Sequence, residues 1–490
     1  MPEREYYFAK DSENIRAAYK EYLSKLFAHF GIDADTAAVY NIEKQLAGAF
    51  HTKEILRQPE RNYHRFTYDE FKKEFAGFDW DTYFAARGAA PSVINVGQPA
   101  ALKEALRILE TASLADIKNY LKRVLATAAA SYVDDGAFEI NFDFYNWTLA
   151  GQISPKPRWE RVLSVMDSTI GEALGQVYVK KYFPATHKAR MEKLVENLRS
   201  AFAEHIAALD WMSDETKQAA QEKLFTFRAK IGYPDRFRDY SELEILDDSY
   251  WANIKRAAIF EDEFWLGQIE QPVDRELWHM TPQTVNAYYW AQTNEICFPA
   301  GILQPPFFDM NADDAANYGA IGAVIAHEMT HGFDDTGRKF DAHGNMRDWW
   351  TAADADAFNE RARVMREFFD RIEVLPGVFA NGEFSLGEIL ADLGGVTLAY
   401  TAFKNATADS PLAVRDGFTP EQRFFIAFAT VWAANIRDEE IRRRVKTVPH
   451  PLPRWRTNGI LPHVSAWYDA FNVQPGDRMY LPKNERAKIW

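Results

Sequence analysis

Ala320-Ile321-Gly322-Ala323-Val324-Ile325-Ala326-His327-Glu328-Met329-Thr330-His331 is the stretch that decides how this chain is read. Seven small or apolar residues lead into H-E-x-x-H. On a helix, positions i and i+4 project from one face, so both imidazoles can reach a single Zn²⁺ ion. Glu328 then stands beside them as a base for a water molecule activated by that ion. A plain alternative is an amphipathic helix with two surface histidines. The run before His327 has no polar face, and a helix that is apolar all round is a buried one.

A second stretch supplies what a catalytic zinc site still lacks. Gly387-Glu388-Ile389-Leu390-Ala391-Asp392-Leu393-Gly394-Gly395 puts Glu388 and Asp392 on one helical face. Four-coordinate catalytic zinc takes three protein ligands and leaves one position open. Glu388 can be the third ligand, and Asp392 can accept the spare ring N–H of a ligating histidine. Any metal must be held this way, because the chain has one cysteine, Cys297, and so no thiolate cluster or internal disulfide.

Composition sets the outer bounds. The 490 residues are 47% hydrophobic and 26% charged, an ordinary globular balance. Lys and Arg number 57 against 71 Asp and Glu, a net charge of −14, the wrong sign for a general nucleic-acid binder. The triplet Arg442-Arg443-Arg444 follows Asp438, Glu439 and Glu440 and reads as a solvated helix end. No run reaches the ~20 apolar residues of a membrane span, and the first residues do not read as a secretory signal. The chain as given is expected to be soluble.

Helical periodicity covers 11–30, 99–130 (two helices, the second capped by Ser113), 159–182, 187–209, 213–231, 353–372 and 420–437. Strand signals are confined to 285–290 and 295–300, and the Pro- and Arg-rich stretch 448–456 reads as a loop. The expected fold is mainly α with a small β element. His343 and His463 lack ligand spacing, Cys297 reads as an inert buried thiol, and Trp349-Trp350 reads as packing at a helix start.

Several motifs together resemble the neprilysin and endothelin-converting-enzyme family of zinc metallopeptidases, in its bacterial oligopeptidase branch. They are Val285-Asn286-Ala287-Tyr288-Tyr289, the run Asn294–Phe308, His327–Asp335, Phe340–Trp350, Gly387–Gly395, and the loop with His450 and Arg456. The resemblance implies a zincin-type catalytic domain (31–211 and 251–490) with a partial helical lid domain (1–30 and 212–250). It implies one Zn²⁺ per chain on His327, His331 and Glu388, Glu328 as general base and proton donor, and Asp392 and Asp334 behind the two histidines. Asn286 and the Ala287 carbonyl would hold the substrate backbone. His450 would stabilise the oxyanion and Arg456 would bind a substrate carbonyl. Ile302, Phe307, Val324, Val431 and Trp432 would line an apolar pocket.

The implied activity is endopeptidase cleavage of small peptides on the amino side of hydrophobic residues. An aminopeptidase would carry a Gly-x-Met-Glu-Asn motif before the metal helix, and none is present. The alternative is a catalytically impaired peptide-binding or interaction protein, derived from the family by loss of its N-terminal part. Members usually carry about 170 further N-terminal residues, by domain-size expectation. Without them, lid-facing apolar surfaces are expected to be exposed and to favour self-association. A leader in such a segment would place the protein outside the cytoplasm, in the periplasm or at the surface. The family's terminal Cys-x-x-Trp is here Ala487-Lys488-Ile489-Trp490, and Ala323 stands where a bulkier residue is common.

Overall fold

The computed structural model describes residues 1–490. Helix accounts for 59% of the chain and strand for 6%, so the expected mainly-α class holds. No helix is long and apolar enough to cross a membrane. The chain divides into two compact units, each discontinuous in sequence. Unit 1 is Met1–Ile170, Asp239–Asp274 and Ile436–Thr447; unit 2 is Gly171–Arg238, Arg275–Asn435 and Val448–Trp490. These bounds differ from those expected. Residues 31–170 fall in unit 1 and 212–238 fall in unit 2. The first division runs through the helix Arg158–Tyr182, whose backbone leaves helical geometry at Ile170.

Unit 1 is a helical cluster built on Glu13–His29, Thr36–Ala49 and Leu114–Val133. Its core includes Tyr7, Tyr19, Tyr22, Leu26 and Phe144. The buried Glu43 carboxylate accepts from Tyr7 Oη at 3.0 Å and Tyr19 Oη at 2.9 Å, and pairs with Arg123. Ser113 caps its helix as expected, accepting from the Asp116 amide. The same helix leaves Leu114, Leu121 and Leu125 57–66% exposed, at spacings that put them on one side of it.

Unit 2 holds the larger core. Its elements in chain order are α1 (Ala185–Ala208), α2 (Asp214–Phe225), β1 (Arg228–Gly232), β2 (Tyr288–Trp290) and β3 (Glu295–Pro299). Then come α3 (Ala323–His331), α4 (Ala352–Asp370), α5 (Leu386–Ala406), α6 (Pro420–Val431) and α7 (Pro453–Asn458). The sheet order is β1-β3-β2: β1 pairs parallel to β3 with Arg228 opposite Glu295, and β2 pairs antiparallel with Tyr288 opposite Cys297. The helix expected over 213–231 therefore stops at Phe225 and gives way to β1. The expected loop over 448–456 ends in α7, where Pro453 sits in the first turn, the one place a helix accepts proline without losing a bond.

Candidate metal centre

The two motif helices lie against each other because their contact residues are small. A Cβ added at Gly395 would sit 2.6 Å from the Ala323 carbonyl oxygen, and one at Gly394 would sit 2.5 Å from Thr330 Oγ1. The Gly-Gly pair thus lets α5 approach the α3 backbone directly. Almost every side chain of α3 is buried, as its uniform apolarity requires. His327, Glu328, Glu388, Asp392 and Asp334 are all buried with them.

Three donor atoms converge. His327 Nε2 and His331 Nε2 are 3.0 Å apart, and Glu388 Oε2 lies 3.4 Å from the first and 3.6 Å from the second. The outer nitrogens are already engaged: His327 Nδ1 with Asp392 Oδ1 at 2.9 Å, and His331 Nδ1 with Asp334 Oδ2 at 2.7 Å. With each Nδ1–H donated to its carboxylate, both Nε2 atoms point toward one place, where a metal ion could take their lone pairs. Glu388 Oε2 is buried, with three imidazole nitrogens 3.2–3.6 Å away and no well-formed hydrogen bond to any of them. Two imidazole nitrogens and a carboxylate oxygen this close together call for a positive charge among them, a metal ion or, without one, a proton. Two nitrogens and one oxygen are a donor set that suits zinc.

Electrostatics follow from this crowding. Burial would raise the Glu388 carboxyl, but His331 above all, with His327, overcomes it and holds its pKa well below the usual carboxylate range. Burial lowers and the neighbouring carboxylates raise the two imidazoles; the carboxylates win, so both titrate above an ordinary histidine, His331 by far the more. Glu328 is pushed up by burial against the opposing pull of His327 and His331. A base raised from its ordinary value is better matched to accepting and returning a proton near neutrality.

The remaining expected residues all lie in unit 2. His450 Nε2 stands 3.2 Å from Glu388 Oε2, with 43% of its side chain exposed. Desolvation lowers its pKa to about 4 against the pull of Glu388, so the ring is neutral at pH 7. Arg456 is buried and forked onto Asp392, with Nε at 2.9 Å from Oδ2 and Nη2 at 2.6 Å from Oδ1; its guanidinium stacks 3.7 Å above the Trp432 ring. Asn286 is exposed and Ala287 buried, immediately before edge strand β2. Ile302 and Val324 are buried in the unit 2 core, Phe307 and Trp432 pack against it, and Val431 is half-buried. Cys297 is fully buried and burial pushes its thiol up, as an inert thiol requires.

Sequence reasoning missed the Arg456–Asp392 fork and the contact of His450 with Glu388, both made by residues more than sixty positions apart.

Family comparison agrees with this geometry. Models of peptidase family M13 match residues 1–234 (its N-terminal part) and 286–487. The chain belongs to peptidase family M13. Mouse membrane metallo-endopeptidase-like 1 is 32% identical over the whole of this chain, which spans 68% of that protein, and human endothelin-converting enzyme 1 is 31% identical, with 66% of it spanned. The M13 chain thus spans about two thirds of the length of these curated relatives. The crystal structure of Mycobacterium tuberculosis zinc metalloprotease Zmp1 superposes over the whole chain with a TM-score of 0.97 at 37% identity, covering 76% of that structure. As a neprilysin-like M13 member it is a metallopeptidase.

Proposed function

We propose that this M13 chain is a zinc-dependent endopeptidase that cuts oligopeptides on the amino side of hydrophobic residues. The reading is carried by one observation: two imidazole Nε2 atoms and a buried Glu388 oxygen meet at a single point. His327, His331 and Glu388 would hold one Zn²⁺. A zinc ion there supplies Lewis acidity that brings the pKa of water close to neutral.

The chain's own residues do the rest. Glu328 accepts the proton of the attacking water and passes it to the leaving amine. Asp392 and Asp334 keep each histidine in the tautomer that turns Nε2 inward. His450, neutral and half in solvent, donates to the developing oxyanion. Arg456, its charge held by Asp392, would bind a substrate carbonyl. The Asn286–Ala287 segment continues edge strand β2, and an extended peptide can add to it through backbone hydrogen bonds. The residue after the cut bond would enter the apolar pocket of Ile302, Phe307, Val324, Val431 and Trp432.

Unit 1 carries exposed apolar side chains on its helix Leu114–Val133. Its exposed Leu114, Leu121 and Leu125 would seat a second copy of the chain. Sedimentation velocity at micromolar concentration would show dimers or larger species, and a pure monomer would discount that association.

The catalytic reading is tested by Glu328→Gln, which keeps shape but removes the proton acceptor. Zinc should stay bound while turnover of a quenched fluorescent peptide falls at least ~10²-fold, the lower end of general-base contributions. Turnover near that of the unaltered chain would refute the role of Glu328.

A further inference from the structure

Behind the metal centre lies a buried lysine that the reaction does not use. Lys223, on α2, is 1% exposed. Its ammonium donates to three backbone carbonyls of one loop: Gly332 at 2.7 Å, Gly337 at 2.7 Å and Phe340 at 2.6 Å. The rings of Tyr289, Phe333 and Trp349 surround it, with centroids 5.6–5.8 Å away. A lysine has three donors and no more, so every one of them is spent on this loop.

The clamped loop carries Asp334. Its Oδ1 accepts from the Thr336 amide at 2.8 Å and the Gly337 amide at 2.7 Å, while Oδ2 takes the His331 ring. The loop is rolled so tightly that a Cβ at Gly337 would sit 1.7 Å from the His331 carbonyl oxygen. Lys223 grips the loop on both sides of Asp334, at 332 and at 337, and again where it ends at 340. The helix that delivers the lysine is itself fixed. Asp354 binds its N-terminal residues Ser213 and Thr216, and Asn294 Nδ2 donates to the Lys223 carbonyl at 3.1 Å.

We propose that Lys223 is a positioning residue for the metal centre: by fixing the 332–340 loop it sets Asp334, and through Asp334 the direction in which His331 presents Nε2. The proposal rests on the reading of His327, His331 and Glu388 as the metal-holding residues. A long apolar side chain at 223 would leave three buried carbonyls without donors, and the loop would relax to find others. Asp334 would then lose its register against His331.

The test uses the full chain and measures metal rather than activity. Zinc affinity is read by competition with a chelating indicator, and ligand geometry by the absorption spectrum of the Co²⁺-loaded protein. The set comprises the unaltered chain, Lys223→Met, Lys223→Gln, Asp334→Ala and the double variant Lys223→Met/Asp334→Ala. Lys223→Met should bind zinc about tenfold more weakly, at the lower end for partners beyond the ligands, with an altered Co²⁺ spectrum. Lys223→Gln, which restores two donors, should recover part of the affinity. Adding Lys223→Met to Asp334→Ala should change affinity by no more than about twofold, because both act on one ring.

Unchanged zinc affinity in Lys223→Met, or fully additive losses in the double variant, would overturn the proposal. Loss of the fold in both Lys223→Met and Lys223→Gln, read by circular dichroism before metal is added, would also overturn it, since the lysine would then hold the fold and not the ligand. Failure of the underlying reading looks different: the unaltered chain would take up no zinc that His331→Ala abolishes.

Discussion

Asp392 serves two partners at once, His327 through Nδ1 and Arg456 through both guanidinium nitrogens. Burial would raise its pKa, and Arg456 more than offsets this, so it stays a carboxylate between two donors. Its link to a histidine was legible, because Glu-x-x-x-Asp places two carboxylates on one helical face. The link to Arg456 was not, since nothing local marks a partner sixty-four positions away. The contact of His450 with Glu388 and the contacts of Lys223 were hidden for the same reason. Asp392→Ala removes a ring orienter and strands a buried cation. Zinc affinity should fall ~10–100-fold, and stability by about 3–5 kcal/mol, the usual loss when one half of a buried pair is removed. Competition titration and a thermal melt measure the two effects, and an unchanged zinc affinity would show that Asp392 does not act through His327.

Helices were legible wherever their faces differ in polarity: α4, expected over 353–372, runs Ala352–Asp370 with Thr351 as its cap. Strand β1 was not, because Arg228-Ala-Lys-Ile-Gly continues a charged helical pattern and has little β character. It becomes a strand by pairing with β3, and Lys230 Nζ, 2.7 Å from Glu295 Oε1, ties it there. The C-terminal end depends on a histidine that spacing alone marked as structural. His463 is buried, its Nδ1 accepts from the Ala487 amide, and its Nε2 has no partner. Burial, helped by Arg486, lowers its pKa from 6.5 to about 4. The unfolded chain therefore binds a proton that the folded chain refuses between those values, and stability falls as pH drops from 6.5 toward 4. The loss should be on the order of 3 kcal/mol. Urea unfolding at pH 7 and pH 4.5 should show a smaller drop for His463→Gln than for the unaltered chain. Equal drops would mean that another group carries the acid sensitivity.

Over the whole molecule, residues from 286 to 456 that bear on the chemistry fall in one unit, although that unit is interrupted by 239–274 and 436–447. Its bounds could not be read from the sequence because no change in composition marks them; they arise from long-range packing of helices that look alike in periodicity. The metal centre was legible because its ligands sit in two short motifs whose spacing is dictated by helix geometry and zinc coordination. The measurement that bears most directly on the account is the metal content of the purified chain beside that of Glu388→Ala, each assayed on one short peptide. The account predicts one zinc per chain, with cleavage lost on chelation and restored by zinc, and neither bound zinc nor cleavage in Glu388→Ala. Full zinc occupancy in Glu388→Ala, or undiminished cleavage by the metal-free chain, would contradict it.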